Sequence, residues 1–284
     1  MEAPHLFMPT ITSSYNAITE CDYNLHKSNS TYFADLDAAR SSLVGALLRK
    51  SLARLNRGDM TGLPEAAKTV KGSYIIALGG VACTFRKEIA PMESFDIFTK
   101  VLTWDEKWLY IVSHVVKKDA IKPTKYHLQP WKRGSKSKRA PGVKDERDMT
   151  KAVFATSIAK YVVKKGRLTI APEILLARSD LLPPKPSNLP TSAQANETPA
   201  TGPGTPATLS SPEGLAAEVT RRLSQSVDAG QASLNGQDMT WEEVENERLR
   251  GLEIAKNFDS LSALHSEFGA HEEVLGKYPD AFFW

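Results

Sequence analysis

The apolar residues change period as the chain proceeds. Met8 to Thr19 is short and rich in Thr, Ile and Tyr, which predicts a first strand. From about Ser30 to Leu55 the positions Phe33, Leu36, Leu43, Val44, Leu47, Leu48 and Leu55 recur at spacings of three, four and seven. That stripe is wide enough to bury one side of a long helix. After a loop containing Pro64, four strand-like runs follow: Ser73–Ile89, Ser94–Trp104, Trp108–Val116 and Ala152–Ile170. Asp105-Glu106-Lys107, between two aromatic-flanked runs, reads as a tight hairpin turn. Pro172 marks the end of the last strand.

The order strand, long helix, four strands predicts an α+β domain. Strands joined by hairpins would pair antiparallel, and an antiparallel sheet needs one face covered. This segment offers a single apolar helix for that purpose. A sheet wrapped around one central helix is therefore expected over about 10–178, within a domain of 1–180. The interval 117–149 reads as a basic insertion. The stretch 181–212 holds eight of the 17 prolines, among Ser, Thr, Ala, Gly and Asn. It has too little apolar surface to offset its ordering entropy and reads as a disordered linker. The tail 213–284 is polar and partly helical. Trp241, Val244, Leu249 and Leu252 share one predicted helical face, with Thr240 and Glu243 spaced as a capping box.

Composition adds few constraints. The chain is 41% hydrophobic and 24% charged, with a net charge of +3, ordinary for a globular protein. Two cysteines, Cys21 and Cys83, match no zinc spacing or redox pair. No metal, cofactor or disulfide framework is expected, and a reducing, cytoplasmic setting follows. Met1–Ile11 does not read as a signal peptide, and no run is long enough to span a bilayer. The chain has no Gly-x-Ser-x-Gly elbow, phosphate-binding glycine loop or His-Glu-x-x-His pair.

Candidate chemistry crowds just ahead of the long helix, in Asp22, Asn24, His26, Asn29, Ser30 and Thr31. A carboxylate can act as general base for water or as a nucleophile. The first turn of a helix leaves amides unpaired and favours developing negative charge. Together they suit acyl transfer without a serine nucleophile. A plainer reading stands beside this one: Asn29 or Ser30 as helix caps, Asp22 and Asn24 as an Asx turn, and His26 as a structural histidine.

Asp22-Tyr23-Asn24-Leu25-His26-Lys27-Ser28-Asn29-Ser30-Thr31-Tyr32-Phe33, followed by Asp37-Ala38-Ala39-Arg40, resembles the signature of the 4-hydroxybenzoyl-CoA thioesterase-like branch of the hot-dog superfamily. Thr84–Ile89, Trp104–Tyr110 and Lys160–Arg167 extend the resemblance, with a weaker echo in Glu245–Phe258. The combination looks most like fungal thioesterase-like proteins of secondary-metabolite clusters. The resemblance implies a hot-dog fold and hydrolysis of an acyl-CoA or carrier-bound acyl thioester, polyketide thioesters included, by a homodimer. It places Asp22 at the catalytic carboxylate and Asn29–Thr31 at the amides facing the carbonyl. Asn24 and His26 become supports, and Asp37 and Arg40 a structural ion pair. Asp35 is a reserve carboxylate, because some branches carry the working acid on the helix. A non-catalytic acyl-binding or accessory protein would fit the same residues.

The basic insertion has three readings. It is a solvated loop, or a patch for coenzyme A phosphates or the acidic face of an acyl carrier protein, or a nucleic-acid patch. Lys132, Arg133, Lys136, Lys138 and Arg139 are its candidate contacts. Nucleic acid ranks last, since an otherwise near-neutral domain does not call for it.

Overall fold

The computed structural model describes residues 5–71, 74–132, 134, 151–186 and 239–267. Its elements are β1 (Thr10–Tyr15), α1 (Asn29–Asn56), α2 (Glu65–Thr69), β2 (Tyr74–Phe85), β3 (Ser94–Trp104), β4 (Trp108–Lys117), β5 (Val153–Lys165), β6 (Leu168–Ile170), α3 (Pro172–Arg178) and α4 (Trp241–Asp259). The predicted apolar stripe is the buried face of α1, from Leu36 through Leu43, Val44, Leu47 and Leu48 to Leu55. Phe33, also assigned to that stripe, is only half-buried.

The sheet is antiparallel with strand order β1-β3-β4-β5-β2, and β6 adds to β5. Hairpins join β3 to β4 and β5 to β6, but the expectation that each later strand pairs with its neighbour fails at β2. That strand crosses to the far edge and pairs with β5, Tyr74 opposite Lys165 and Phe85 opposite Ala155. The run Ala152–Ile170 is likewise two strands rather than one. Gly166, at φ 57°, turns the chain between them, a conformation glycine adopts without steric cost. The β3–β4 turn forms as predicted. The Asp105 carboxylate accepts from the Lys107 amide at 2.7 Å and the Trp108 amide at 2.6 Å.

One face of the sheet packs on α1. The opposite face packs on α4, which lies over β3. The Thr240–Glu243 capping box forms at the start of α4. Its buried face, however, runs through Val244, Gly251 and Ala255, and Leu249 is 49% exposed. Gly251 explains the difference. A Cβ there would lie 2.3 Å from the Leu102 carbonyl oxygen, so only glycine lets the helix approach the strand so closely. Rotation about that contact turns Leu249 outward. Near the end of α4, Asp259 accepts from the Tyr110 hydroxyl and from Lys160 Nζ, the latter at 2.6 Å. Burial, reinforced by hydrogen bonds to Asp259 and Asp105, pushes the Tyr110 phenol well above its ordinary range. Of the expected linker 181–212, residues 187–212 lie outside the described residues, as do 133 and 135–149 of the basic insertion and 213–238 of the tail.

Candidate functional site

The stretch ahead of α1 folds as a tight, pinned loop. Cys21 and Lys27 form an antiparallel bridge, the Asp22 amide donates to the His26 carbonyl at 2.8 Å, and Leu25 takes a left-handed φ of 61°. Asp22 Oδ1 accepts from the amides of Asn24 at 2.9 Å and His26 at 3.3 Å. The Asx-turn reading is therefore realised, and Asp22 Oδ2 carries no hydrogen bond among the described residues. His26 Nε2 lies 3.3 Å from Glu88 in the connection before β3. The Asn24 side chain is exposed, with Tyr23 beside it 94% exposed.

Ser28 is the N-cap of α1, but its hydroxyl does not cap the helix. It instead lies 3.0 Å from the Ser30 hydroxyl. Thr31 Oγ1 donates to the Ser28 carbonyl at 2.8 Å. Asn29 and Ser30 lie in the first turn and are not caps, which corrects the capping reading. No acidic side chain stands in that turn. The amides of Asn29 and Ser30 remain available at the positive end of the helix dipole.

Sequence reasoning missed the group that locks this arrangement. Lys27 is 4% exposed, and its Nζ lies 2.6 Å from Glu20 and 2.8 Å from Asp35. It also lies 5.7 Å from the Tyr32 ring and 5.3 Å from the Phe95 ring. Lys27 thus ties the loop, α1 and β3 together and neutralises the reserve carboxylate Asp35. The available signal was a lysine at the only basic position between two acidic groups, Glu20 and Asp35. Asn16 does similar work from the other side. Its buried side-chain amide donates at 3.1 Å to the carbonyls of Ile89 and Ala90.

α1 packs over β1, β3 and β4, and on the edge strand β2 the inner-face residues Ile76, Val81 and Cys83 are only half-buried. The Tyr32 ring meets Phe85 edge-on at 5.1 Å beside the helix start. Burial pushes the Tyr32 phenol well above its ordinary range. At the far end of α1, a cavity of about 580 Å³ opens between Leu52, Leu55, Tyr74 and Lys165. It is remote from Asp22 along the helix. Of the basic patch, Lys132 is described, exposed and 4.6 Å from the Tyr126 ring. Arg133, Lys136, Lys138 and Arg139 lie outside the described residues. Among the described residues no His, Cys, Asp or Glu cluster is built to hold a metal, and no helix is long and apolar enough to cross a membrane.

Comparison with known proteins points one way. The profile of a family described as the thioesterase-like superfamily matches residues 17–169. The probable thioesterase atnL of Emericella nidulans is 30% identical over 98% of this chain and 76% of its own length. Thioesterase lcsJ of Purpureocillium lilacinum is 32% identical over 87% of this chain and 65% of its own. Thioesterase poxG of Penicillium oxalicum is 31% identical over 96% and 74%. Among solved structures, the probable thioesterase YbaW of Escherichia coli covers 60% of this chain at 11% identity, with a TM-score of 0.37.

Proposed function

Since this chain belongs to the thioesterase-like superfamily, with its antiparallel hot-dog sheet wrapped on α1, we propose that it hydrolyses an acyl thioester at the N-terminus of α1. One observation carries the reading. The bridged loop Cys21–Lys27 carries a carboxylate whose Oδ2 has no hydrogen bond among the described residues, and it leads into a helix start that no side chain caps. The thioester carbonyl would sit against the amides of Asn29 and Ser30, which hold the oxyanion as charge develops. Asp22 would activate water through Oδ2 or attack the carbonyl directly. Oδ1 is held by two amides, which fixes the direction of the carboxylate. His26 and Asn24 support the loop, and Thr31 fixes the first turn. Asp35 is engaged with Lys27 and serves the scaffold rather than the chemistry.

The acyl chain would lie between α1 and the half-buried inner face of β2, and the thioester would come from coenzyme A or an acyl carrier protein. Lys132 and the basic residues after it, Arg133, Lys136, Lys138 and Arg139, would meet the phosphates or the carrier's acidic face. A homodimer follows from β2. Among the described residues this long edge strand has one side unpaired, and it exposes Ile75, Leu78 and Phe85. Such an edge invites a second copy.

The test is hydrolysis of a panel of acyl-CoA and carrier-bound substrates by the wild type and by Asp22→Asn. Loss of a general base or nucleophile should cost at least about a hundredfold in kcat. Full activity in Asp22→Asn would remove Asp22 from the mechanism. Tight binding without turnover across the panel would instead support an accessory acyl-binding protein, a role consistent with Asp22 spending one oxygen on its own loop.

A further inference from the structure

The buried face of α1 is apolar except at Arg40 and Ser51, and Arg40 carries its one charge. Tyr32, Leu36 and Ala39 belong to one buried cluster with Phe95 and Ile97. Leu43, Val44, Leu47 and Leu48 belong to a second, with Val101 and Ile111. Arg40 stands at the seam between them, 1% exposed. Its Nη2 donates to Asp37 Oδ1 at 2.8 Å, the ion pair expected from the spacing. Its Nε and Nη1 are fully buried and find no hydrogen-bond partner among the described residues.

The ion pair does not account for this burial. The Asp37 side chain is 59% exposed, so the same pair would form with the guanidinium in solvent. Burying charged donors without acceptors is costly, and removing them from water needs a compensating partner. The surroundings indicate where that partner would lie. Burial pushes the Cys83 thiol and the Tyr161 phenol up, and the nearby Arg40 charge pulls both back. Cys83 on β2 and Tyr161 on β5 are half-buried residues of the inner face. Along α1, Arg40 stands between Tyr32, which meets Phe85, and Leu52, which lines the cavity with Tyr74.

We propose that Arg40 is a specificity-determining residue, one of whose unpaired donors receives an oxygen function, a carboxylate or a ketone, carried on the acyl chain. This rests on the thioesterase reading above. The two nitrogens do not share an edge of the guanidinium, so each donates separately, and a charged carboxylate oxygen suits such a donor better than a ketone oxygen. The eleven residues from Asn29 to Arg40 span about 16 Å of helix axis. With its carbonyl at the helix start, an extended chain would bring roughly its fourteenth carbon to Arg40, since zigzag C–C bonds of about 1.5 Å advance it by only about 1.27 Å per carbon. The substrate is thus a long acyl chain that is oxygenated well away from the thioester.

The experiment uses the full chain and CoA thioesters of matched length in three series: plain acyl, terminal carboxylate and internal ketone. Each series is paired with its non-hydrolysable CoA thioether for calorimetric binding. The wild type should favour an oxygenated series by on the order of 10- to 100-fold in kcat/KM and in affinity, the scale of a charge-assisted hydrogen bond. Arg40→Met, which keeps length and removes charge, should erase that preference and process plain chains at least as well. Its thermal midpoint should hold or rise, because an apolar side chain replaces a buried charge. If Arg40→Met does not fold, Arg40→Gln should lose the carboxylate preference and keep part of the ketone preference. The carboxylate and ketone arms identify which oxygen is read. A wild type without preference, or a preference that survives substitution, overturns the proposal. Turnover without an Arg40-dependent preference leaves the thioesterase reading intact, whereas failure of every thioester and thioether to react or bind overturns both.

Discussion

On the outer face of the sheet, α4 brings Asp259 between Tyr110 and Lys160 and sets the Arg248 carbonyl on the Thr103 hydroxyl at 2.6 Å. On the inner face, α1 brings Arg40 toward Cys83 and Tyr161 and leaves two of its nitrogens without acceptors. Polar groups under α4 join one element to another, which is what a docked helix needs. The unmatched donors under α1 join nothing among the described residues. Burial of charge is thus structural on one face, while on the other it awaits something the fold does not supply. Changes on the outer face should alter stability and spare turnover. Changes on the inner face and at the helix start should alter turnover, with or without stability.

The largest expected effect tests the boundary of that division. Lys27→Met strands Glu20 and Asp35 against each other at the helix start. It should cost about 3 kcal/mol, the low end for breaking a buried pair because both carboxylates keep some solvent. Denaturant unfolding measures the loss, and hydrolysis at a temperature where the variant is folded should also fall. Full activity in the folded variant would place the helix start outside the chemistry. Gly251→Val comes next. The overpacked contact with Leu102 should cost about 2 kcal/mol. Thermal unfolding should show it, with kcat unchanged at 25 °C; a matching fall in kcat would tie the outer helix to the site.

Asp259→Asn should cost about 1 kcal/mol through weakened bonds to Tyr110 and Lys160. A change in acyl preference would break the distinction between the faces. The smallest effect concerns pH. The hydrogen bond from Arg248 holds the Glu245 carboxyl below its ordinary range. A depressed folded-state pKa means the unfolded chain binds the proton more readily. The contribution is therefore present above the ordinary glutamate range and lost as pH falls through the lowered value. Glu245→Gln should flatten that acid limb of the stability curve, and an unchanged limb would remove this ion pair from the docking of α4.

The long helix and four of the strands were legible because burial on one face leaves a period in the sequence. β3 begins and ends where its apolar run does. The path of β2 was not legible, because its alternation says that it pairs but not with which strand. The buried face of α4 was misread because Gly251, the contact point, has no hydrophobic signal of its own. At the site, Asp22 and Asn29–Thr31 stood out as residue types ahead of a helix. Lys27 did not, since a lysine between polar neighbours reads as a surface residue until the partners from Glu20 and Asp35 are brought around it. Arg40 was legible as half of an ion pair; its unmatched nitrogens depend on the tertiary seam between two apolar clusters.

The far-edge position of β2 also sets an order of events during folding. Tyr74 pairs with Lys165, at the end of β5, so this strand cannot complete its ladder until almost the whole domain has been synthesised. Loop closure over that separation is slow relative to forming the β3–β4 hairpin. An apolar segment meanwhile waits unpaired as the chain emerges from the ribosome, the interval in which aggregation competes with folding. Demand for chaperones should therefore concentrate on residues 74–85, and substitutions that blunt the apolar side chains of that strand should raise soluble yield more than they change the stability of the finished protein.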